Sequence, residues 1–181
     1  MKVINNMKKG YVQVYTGNGK GKTTSALGLS IRAAGSGMNV VIAQFLKAMN
    51  TSELNILNSI DNIKIMRYSE CKKFFWDMND DEKKELRCKM KQMLEDAVKV
   101  SIEEKSDLVV FDELLGALHG EFITKDEIIS LIENKPEYCE YIITGRAAPD
   151  WLIEKADLVS SIEPIKHYMD AGVSARKGIE F

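Results

Sequence analysis

The sequence predicts an α/β fold in which a mostly parallel sheet of about six strands lies between layers of helices. Short apolar runs alternate along the chain with longer amphipathic stretches, which is typical of strands joined by helical crossovers. In addition, a glycine-rich turn joins the first apolar run to the first amphipathic stretch. Together these two observations favour a sheet that is covered by helices on both faces.

Six apolar runs have the length of buried strands. In chain order they span residues 11–16, 39–45, 63–68, 107–113, 140–146 and 157–165. The clearest helix runs from about residue 80 to 104, where one face carries Leu86, Met90, Met93, Leu94, Ala97 and Val98. We interpret the methionines as part of an apolar stripe that packs on the sheet. A second helix should begin near Thr124, because Thr124 and Glu127 have the spacing of a capping box.

The composition is that of one compact domain, which we expect to span residues 1–181. The chain is 45% hydrophobic and 29% charged, and it is too short for two ordinary domains. A net charge of -2 argues against binding along a nucleic-acid backbone. Cys71, Cys88 and Cys139 are odd in number and lack C-x-x-C spacing. Without a secretory leader or a membrane-spanning run, they predict free thiols in a reducing cytoplasm.

The turn after the first predicted strand has the features of a phosphate loop. Its glycines allow a tight turn with inward N–H groups, and the following helix adds its positive dipole end. Lys22 would contact phosphate oxygens, and the Thr23 hydroxyl is placed to ligate Mg²⁺. The loop is one residue shorter than G-x-x-x-x-G-K-[ST], because Thr16 stands at the usual first glycine. A glycine turn capping an ordinary helix is the alternative. The predicted nucleotide-binding residues here are Gly17, Asn18, Gly19, Lys20, Gly21, Lys22, Thr23 and Thr24.

Two carboxylates at the end of the fourth predicted strand complete a predicted metal site. Asp112 and Glu113 follow four apolar residues, and open α/β sheets gather ligands at the carboxyl ends of strands. One carboxylate would reach Mg²⁺ and the other would hold Thr23 or a water; a solvated strand end is the alternative. The predicted metal ligands are therefore Thr23, Asp112 and Glu113. With the loop, they predict a P-loop NTPase (RecA-like) three-layer sandwich.

Further segments carry a family resemblance. They are TGNGKGKTTSALGLSIRAAGSG from Thr16, QFLK from Gln44, SELNIL, FFWD from Phe74, VVFDEL from Val109, TGRAAP from Thr144 and the tail ADLVSSIEPIKHYMDAGVSARKGIEF. Over nearly its whole length the chain resembles the bacterial P-loop ATP:cob(I)alamin adenosyltransferases, also called cob(I)yrinic acid a,c-diamide adenosyltransferases. The phosphate loop alone would indicate only a nucleotide binder, whereas the tail is far more specific to this family.

The resemblance implies an activity and its substrates. The enzyme would transfer the 5′-deoxyadenosyl group of ATP to Co(I) of a corrinoid, cobalamin or cobyrinic acid a,c-diamide, in adenosylcobalamin biosynthesis or salvage. Triphosphate would leave, and ATP would lie reversed in the shortened loop, because a stationary polyanion is held while C5′ is presented. Mg²⁺, a homodimer and a transient flavoprotein reductase are also implied, whereas no nucleic-acid or membrane partner is expected.

The resemblance also implies roles for individual residues. Lys22, Phe74 and Trp76 would be catalytic, the two aromatics by displacing the lower axial ligand of cobalt, which eases reduction of Co(II). An aromatic anchor for a loop is the alternative. Arg146 matches a position near the nucleotide, although a buried structural arginine is the alternative. We do not expect His167 to ligate cobalt, and we expect His119 to face solvent or cap a turn.

Two other classes of function remain open from the residues themselves. A P-loop phosphotransferase or ATPase would share the loop and the carboxylates but would release ADP, and the sequence shows no residue that would activate its acceptor. A nucleotide-gated binding module would need an exposed partner surface. The phosphorus product formed from ATP distinguishes these possibilities.

Overall fold

The computed structural model describes residues 9–47, 51–67 and 77–181. Six strands form one sheet: β1 (Val12–Thr16), β2 (Val40–Gln44), β3 (Ile63–Met66), β4 (Leu108–Asp112), β5 (Glu140–Thr144) and β6 (Leu158–Ser161). Their order is β3-β2-β4-β5-β1-β6, and every neighbouring pair is parallel. The six predicted strands and the α/β class are therefore confirmed.

Helices connect these strands. They are α1 (Lys22–Gly35), α2 (Leu54–Leu57), α3 (Asp80–Glu103), α4 (Leu114–His119), α5 (Lys125–Glu133), α6 (Asp150–Lys155) and a short 3₁₀ helix at Tyr168–Ala171. The predicted capping box of α5 is present between Thr124 and Glu127. A second capping box, between Asn79 and Glu82, begins α3, and the sequence reading did not anticipate it. Each box satisfies amides that a helix start leaves without partners.

The sheet separates two apolar cores, because successive strand residues point to opposite faces. Val109 and Phe111 of β4 join a core that includes the apolar sides of α3, α4, α5 and α6. Leu108 and Val110 join a second core with α1 and Leu57 of α2. This arrangement is the predicted three-layer sandwich, and the methionines of α3 lie in the first core as expected.

Parallel pairing brings the carboxyl ends of the central strands to one edge of the sheet. Gln44 at the end of β2 is in register with Asp112 at the end of β4. Thr144 ends β5 beside them, and Thr16 of β1 leads into the glycine-rich turn. The site therefore forms where four strands end. Within the described residues, none of the helices combines the length and the apolar character that crossing a membrane requires.

Candidate active site

The glycine-rich turn between β1 and α1 lies against the residues that follow β6. A Cβ atom at Gly17 or Gly19 would collide with the carbonyl oxygen of Ile162. At Gly21 a Cβ atom would have no neighbour closer than 3.9 Å, but the φ of 129° strongly favours glycine. Glycine is therefore required at positions 17 and 19 for a close approach and at position 21 for the backbone conformation.

Two backbone amides of this turn already have partners in the same segment. The Gly19 amide donates to the Ile162 carbonyl at 2.7 Å, and the Asn18 amide donates to the Glu163 carboxylate at 3.5 Å. The first amides of α1, by contrast, lack intrahelical acceptors because they begin the helix. The start of α1, at Lys22, Thr23 and Thr24, is therefore the part of the turn that is best suited to hold an anion.

Lys22 concentrates positive charge at this helix start. Its ammonium donates to the carbonyl oxygens of Gly17 at 2.7 Å and Gly19 at 2.8 Å. Burial lowers the pKa of Lys22, and the nearby charge of Arg146 lowers it further. The structure thus brings the two predicted cations Lys22 and Arg146 together. An anion bound beside Lys22 would stabilise the charged form of this lysine.

Lys20, which was also predicted to contact phosphate, here contacts the C-terminal tail. Its ammonium donates to the Tyr168 hydroxyl at 3.1 Å, the Ile179 carbonyl at 2.9 Å and the Glu180 carboxylate at 2.7 Å. The two lysines of the turn therefore have different partners. Lys22 bonds to the turn itself, whereas Lys20 bonds to the end of the chain.

Asp112 is fully buried at the end of β4 and accepts four hydrogen bonds. One carboxylate oxygen accepts from the Thr23 hydroxyl at 2.9 Å and the Thr144 hydroxyl at 2.7 Å. The other accepts from the Lys47 ammonium at 2.6 Å and the Gln44 amide at 3.4 Å. These contacts occupy the usual lone-pair positions of a carboxylate. Asp112 is therefore the carboxylate that holds Thr23, one of the two roles expected for this pair.

Glu113 faces the cavity beside Lys22 and Arg146. It has a φ of 61°, and its amide donates to the Thr144 hydroxyl at 2.9 Å. Burial raises the pKa of Glu113, and the charge of Asp112 raises it further. A divalent cation would favour the ionised form of this carboxylate. Glu113 and the Thr23 hydroxyl thus fit one side of a Mg²⁺ site.

Among the described residues no group of three or more histidine, cysteine, aspartate and glutamate side chains is placed to hold a metal ion. Mg²⁺ is commonly held by one or two carboxylates together with substrate phosphates and water. Glu113 and Thr23 line the same cavity, so phosphate oxygens and water would complete the coordination of a Mg²⁺ ion there.

Two cavities meet at the start of α1. One, of about 740 Å³, is lined by the turn, Glu113, Arg146 and tail residues that include His167 and Glu180. The other, of about 650 Å³, lies between α1, residues 51–53 and residues 178–181, and Leu27, Ile31 and Phe181 give it an apolar wall. Thr23, Thr24, Ile179 and Glu180 line both cavities. A charged ligand and a more apolar one can therefore lie side by side.

Both histidines have hydrogen-bond partners. His119 contacts the carbonyl oxygens of Arg146 at 3.2 Å and Ala147 at 3.0 Å, and so fastens the turn after β5. The His167 ring accepts a hydrogen bond from the Met169 amide at 3.1 Å. Phe74 and Trp76 lie outside the described residues, and their predicted roles stay predictions.

The sequence reading assigned no role to three residues that surround Asp112. They are Gln44, Lys47 and Thr144, and the signal that points to them is their position at or just after the end of a buried strand. Gln44 and Lys47 belong to the QFLK segment, and Thr144 opens the TGRAAP segment. The carbonyl oxygen of the Gln44 side chain is buried and has no hydrogen-bond partner among the residues that the structure describes.

Comparison with known proteins adds independent information. Residues 8–181 match the family described as "ATP:corrinoid adenosyltransferase BtuR/CobO/CobP". The "Corrinoid adenosyltransferase" of Escherichia coli strain K12 is 33% identical over 176 residues, which cover 96% of this chain and 87% of that protein. The "Corrinoid adenosyltransferase CobA" of Salmonella typhimurium is 35% identical over 96% of this chain and 87% of that protein. The "Corrinoid adenosyltransferase" of Pseudomonas aeruginosa is 34% identical over 96% and 85%, respectively.

Proposed function

This chain belongs to the ATP:corrinoid adenosyltransferase family, and on that premise we propose that its phosphate-loop site transfers the 5′-deoxyadenosyl group of ATP to Co(I) of a corrinoid. Adenosylation of corrinoids places the enzyme in cobalamin biosynthesis or salvage. ATP and the corrinoid are its substrates, and Mg²⁺ is the proposed cofactor.

One observation carries the assignment of the site. Lys22 and Arg146 share a cavity with the start of α1, where Thr23 is fixed by the buried Asp112. This combination supports binding of a triphosphate, since two cations, free helix amides and a metal-binding hydroxyl converge there. The neighbouring cavity with its apolar wall supports placing a second, larger substrate beside the triphosphate.

The proposed reaction needs no general base. Co(I) attacks C5′ with its own electron pair, a cobalt–carbon bond forms, and the C5′–oxygen bond breaks. The triphosphate leaves with the electrons of that bond, and the cobalt becomes formally Co(III). Lys22, Arg146 and the amides of α1 stabilise the charge on the leaving group. Thr23 and Glu113 would hold Mg²⁺, which would neutralise part of the same charge.

Several finer features belong to the proposal. ATP lies reversed in the shortened loop, so that the triphosphate is buried and C5′ faces the corrinoid. Phe74 and Trp76 seal the lower face of the corrin and keep the axial ligand away from cobalt. The enzyme acts as a homodimer and receives electrons from a flavoprotein. The GNGKGKTT turn and the FFWD segment support the first two features, whereas the homodimer and the flavoprotein rest on the family resemblance alone.

A P-loop ATPase is the second candidate, and one observation favours it. Glu113 follows the buried Asp112 at the end of β4, faces the phosphate cavity and has a raised pKa. A carboxylate with these properties can act as a base toward an attacking water. An ATPase would cleave the bond to the γ-phosphate and would form ADP.

The proposal is tested by following the cobalt. The purified protein is mixed anaerobically with ATP, Mg²⁺ and chemically reduced Co(I) cobalamin, and the visible spectrum is recorded. We expect Co(I) absorbance to be replaced by that of a light-sensitive alkylcobalamin, with no such change when ADP replaces ATP. Alanine at Phe74 or Trp76 should impair turnover from Co(II) with a weak reductant more than turnover from Co(I). Formation of ADP without alkylcobalamin would support the ATPase instead.

A further inference from the structure

The last four residues, Gly178–Phe181, form a strap whose residues line the cavities of the site. On one side the Lys20 ammonium donates to the Ile179 carbonyl and the Glu180 carboxylate. On the other side the Ser52 hydroxyl donates to the Phe181 carbonyl at 3.2 Å. The strap therefore bridges the phosphate loop and the segment that follows β2.

The strap also stands between the two cavities. Ile179 and Glu180 line the cavity of about 740 Å³ at the phosphate loop and the cavity of about 650 Å³ beside α1. Thr23 and Thr24 line both cavities as well. Residues of the strap thus separate two spaces that share the same helix start, and moving the strap would join them.

Glu180 adds a negative charge to the cavity of the phosphate loop, which Glu113 and Asp170 also line. Hydrogen bonds from Arg176 and Lys20 hold the pKa of the Glu180 carboxyl far below its usual range, so the group is ionised at neutral pH. The Tyr168 hydroxyl also donates to this carboxylate. A triphosphate in the same cavity would be repelled by Glu180 and would attract the ammonium of Lys20.

We propose that the strap is an ATP-released latch, in which Lys20 exchanges Glu180 for the triphosphate and residues 178–181 then leave the space between the two cavities. The proposal rests on the proposed function, because it takes the triphosphate of ATP as the ligand of the loop. Release joins the two cavities, so that the triphosphate site opens toward the space with the apolar wall.

The energetics favour this exchange. Lys20 is exposed over 41% of its side chain, and exposed ion pairs are weak, whereas a triphosphate offers several negative charges to the same ammonium. Glu180 keeps a countercharge when Lys20 leaves, because Arg176 pairs with it at 3.3 Å from within the tail. The strap can therefore detach with its carboxylate still paired.

Hydrogen exchange tests the movement directly. The amides of Gly178, Ile179 and Glu180 bond to carbonyls within residues 176–181, in a turn that Lys20 and Ser52 hold against the rest of the fold. Once these outside contacts are lost, the turn should open more often and its amides should exchange faster. Saturating ATP should increase their exchange rates by about tenfold or more. The amides of β4, in the buried sheet, serve as the internal control and should not change. Slower exchange of the strap on ATP binding would overturn the proposal, because a closing lid behaves in that way.

Calorimetry of the Glu180→Gln variant tests whether Glu180 and the triphosphate compete for Lys20. The variant removes the charge that holds Lys20, so its Kd for ATP should fall about two- to fivefold, in line with the strength of exposed ion pairs. Glu137→Gln is the matched control, because it makes the same charge change at an exposed residue before β5, on the opposite edge of the sheet. Unchanged or weaker ATP binding in Glu180→Gln would overturn the latch alone. Failure of the unmodified protein to bind ATP would instead overturn the proposed function and the latch with it.

Discussion

Two carboxylates contact the phosphate loop and the helix start that follows it, and they differ in burial. Asp112, at the end of β4, is completely buried and binds Thr23. Glu180, in the C-terminal tail, is partly exposed and binds Lys20. Both accept hydrogen bonds from a lysine, and both accept from hydroxyl groups. The chemistry of the two contacts is similar, so the difference between them lies in their surroundings.

Burial determines whether a ligand can replace each carboxylate in its contact with the loop. A buried carboxylate that loses a partner has no water to replace it, so Asp112 fixes Thr23 as part of the folded structure. An exposed ion pair is weak and screened by salt, so the bond between Lys20 and Glu180 can be exchanged for a ligand. The contact at Thr23 is thus a fixed part of the fold, whereas the contact at Lys20 can be exchanged for one to a ligand.

The largest expected effect comes from the loop itself. Lys22→Ala should reduce adenosyl transfer by roughly a hundredfold or more, because losing one contact to the developing charge costs on the order of 3 kcal/mol. The far-ultraviolet circular dichroism should stay unchanged. Lys20→Ala is the matched variant of the same loop, and it should lose less activity because Lys20 also restrains the strap. Near-normal turnover of a folded Lys22→Ala protein would refute the role of Lys22.

The two carboxylates should differ in their contribution to stability. Asp112→Asn leaves the Lys47 ammonium without its countercharge in a buried network, and it should lower the free energy of unfolding by about 3 kcal/mol. Glu180→Gln should leave the midpoint of denaturant unfolding nearly unchanged. Urea titrations of the two variants beside the unmodified protein measure both quantities. Similar losses of unfolding free energy in the two variants would contradict the distinction between a fixed contact at Asp112 and an exchangeable contact at Glu180.

Glu113 should make the protein less stable as the pH rises, whereas a salt-bridged acid makes a protein more stable as the pH rises. Folding raises the pKa of Glu113, so in this pH range the folded protein binds more protons than the unfolded chain. The free energy of unfolding therefore falls as the pH rises from the pKa of Glu113 in the unfolded chain through its pKa in the folded protein. Glu113→Gln should therefore be more stable than the unmodified protein at pH 7. The two proteins should become equal near pH 4. An equal difference in stability at both pH values would show that ionisation of Glu113 is not the cause.

Salt should produce the smallest effect. Raising the sodium chloride concentration from about 0.05 M to about 0.5 M shortens the Debye length about threefold and weakens the exposed pair of Lys20 and Glu180. We expect the amides of residues 178–181 to exchange modestly faster at high salt, whereas the amides of β4 should not respond. A strap that is insensitive to salt would have to be held by contacts other than this ion pair.

The strands and the best-defined helices could be predicted because their signals are local. The run from Leu108 to Phe111 is apolar on both faces, as a central parallel strand must be, and it forms β4. The stripe on α3 gave the helix to within one residue of its observed end, Glu103. The capping box at Thr124 likewise needs only four consecutive residues.

The rest depends on contacts that join distant parts of the chain. Lys47 reaches Asp112 across 65 residues, and Lys20 reaches Glu180 across 160 residues. A strand-end lysine gives no sign of which carboxylate it will meet until the strand order is known. The sequence therefore predicted the loop and the position of Asp112 and Glu113 at the end of β4. It did not predict the contacts that surround Asp112 or the tail that binds Lys20.

The phosphorus product of the reaction tests the central claim most directly. The protein is incubated anaerobically with ATP, Mg²⁺ and Co(I) cobalamin, and the mixture is followed by phosphorus NMR. If the loop holds a stationary triphosphate while Co(I) attacks C5′, intact triphosphate accumulates in step with adenosylcobalamin, and little ADP forms even when the corrinoid is omitted. Stoichiometric ADP and inorganic phosphate would contradict the account, because they would show that the site transfers a phosphoryl group instead.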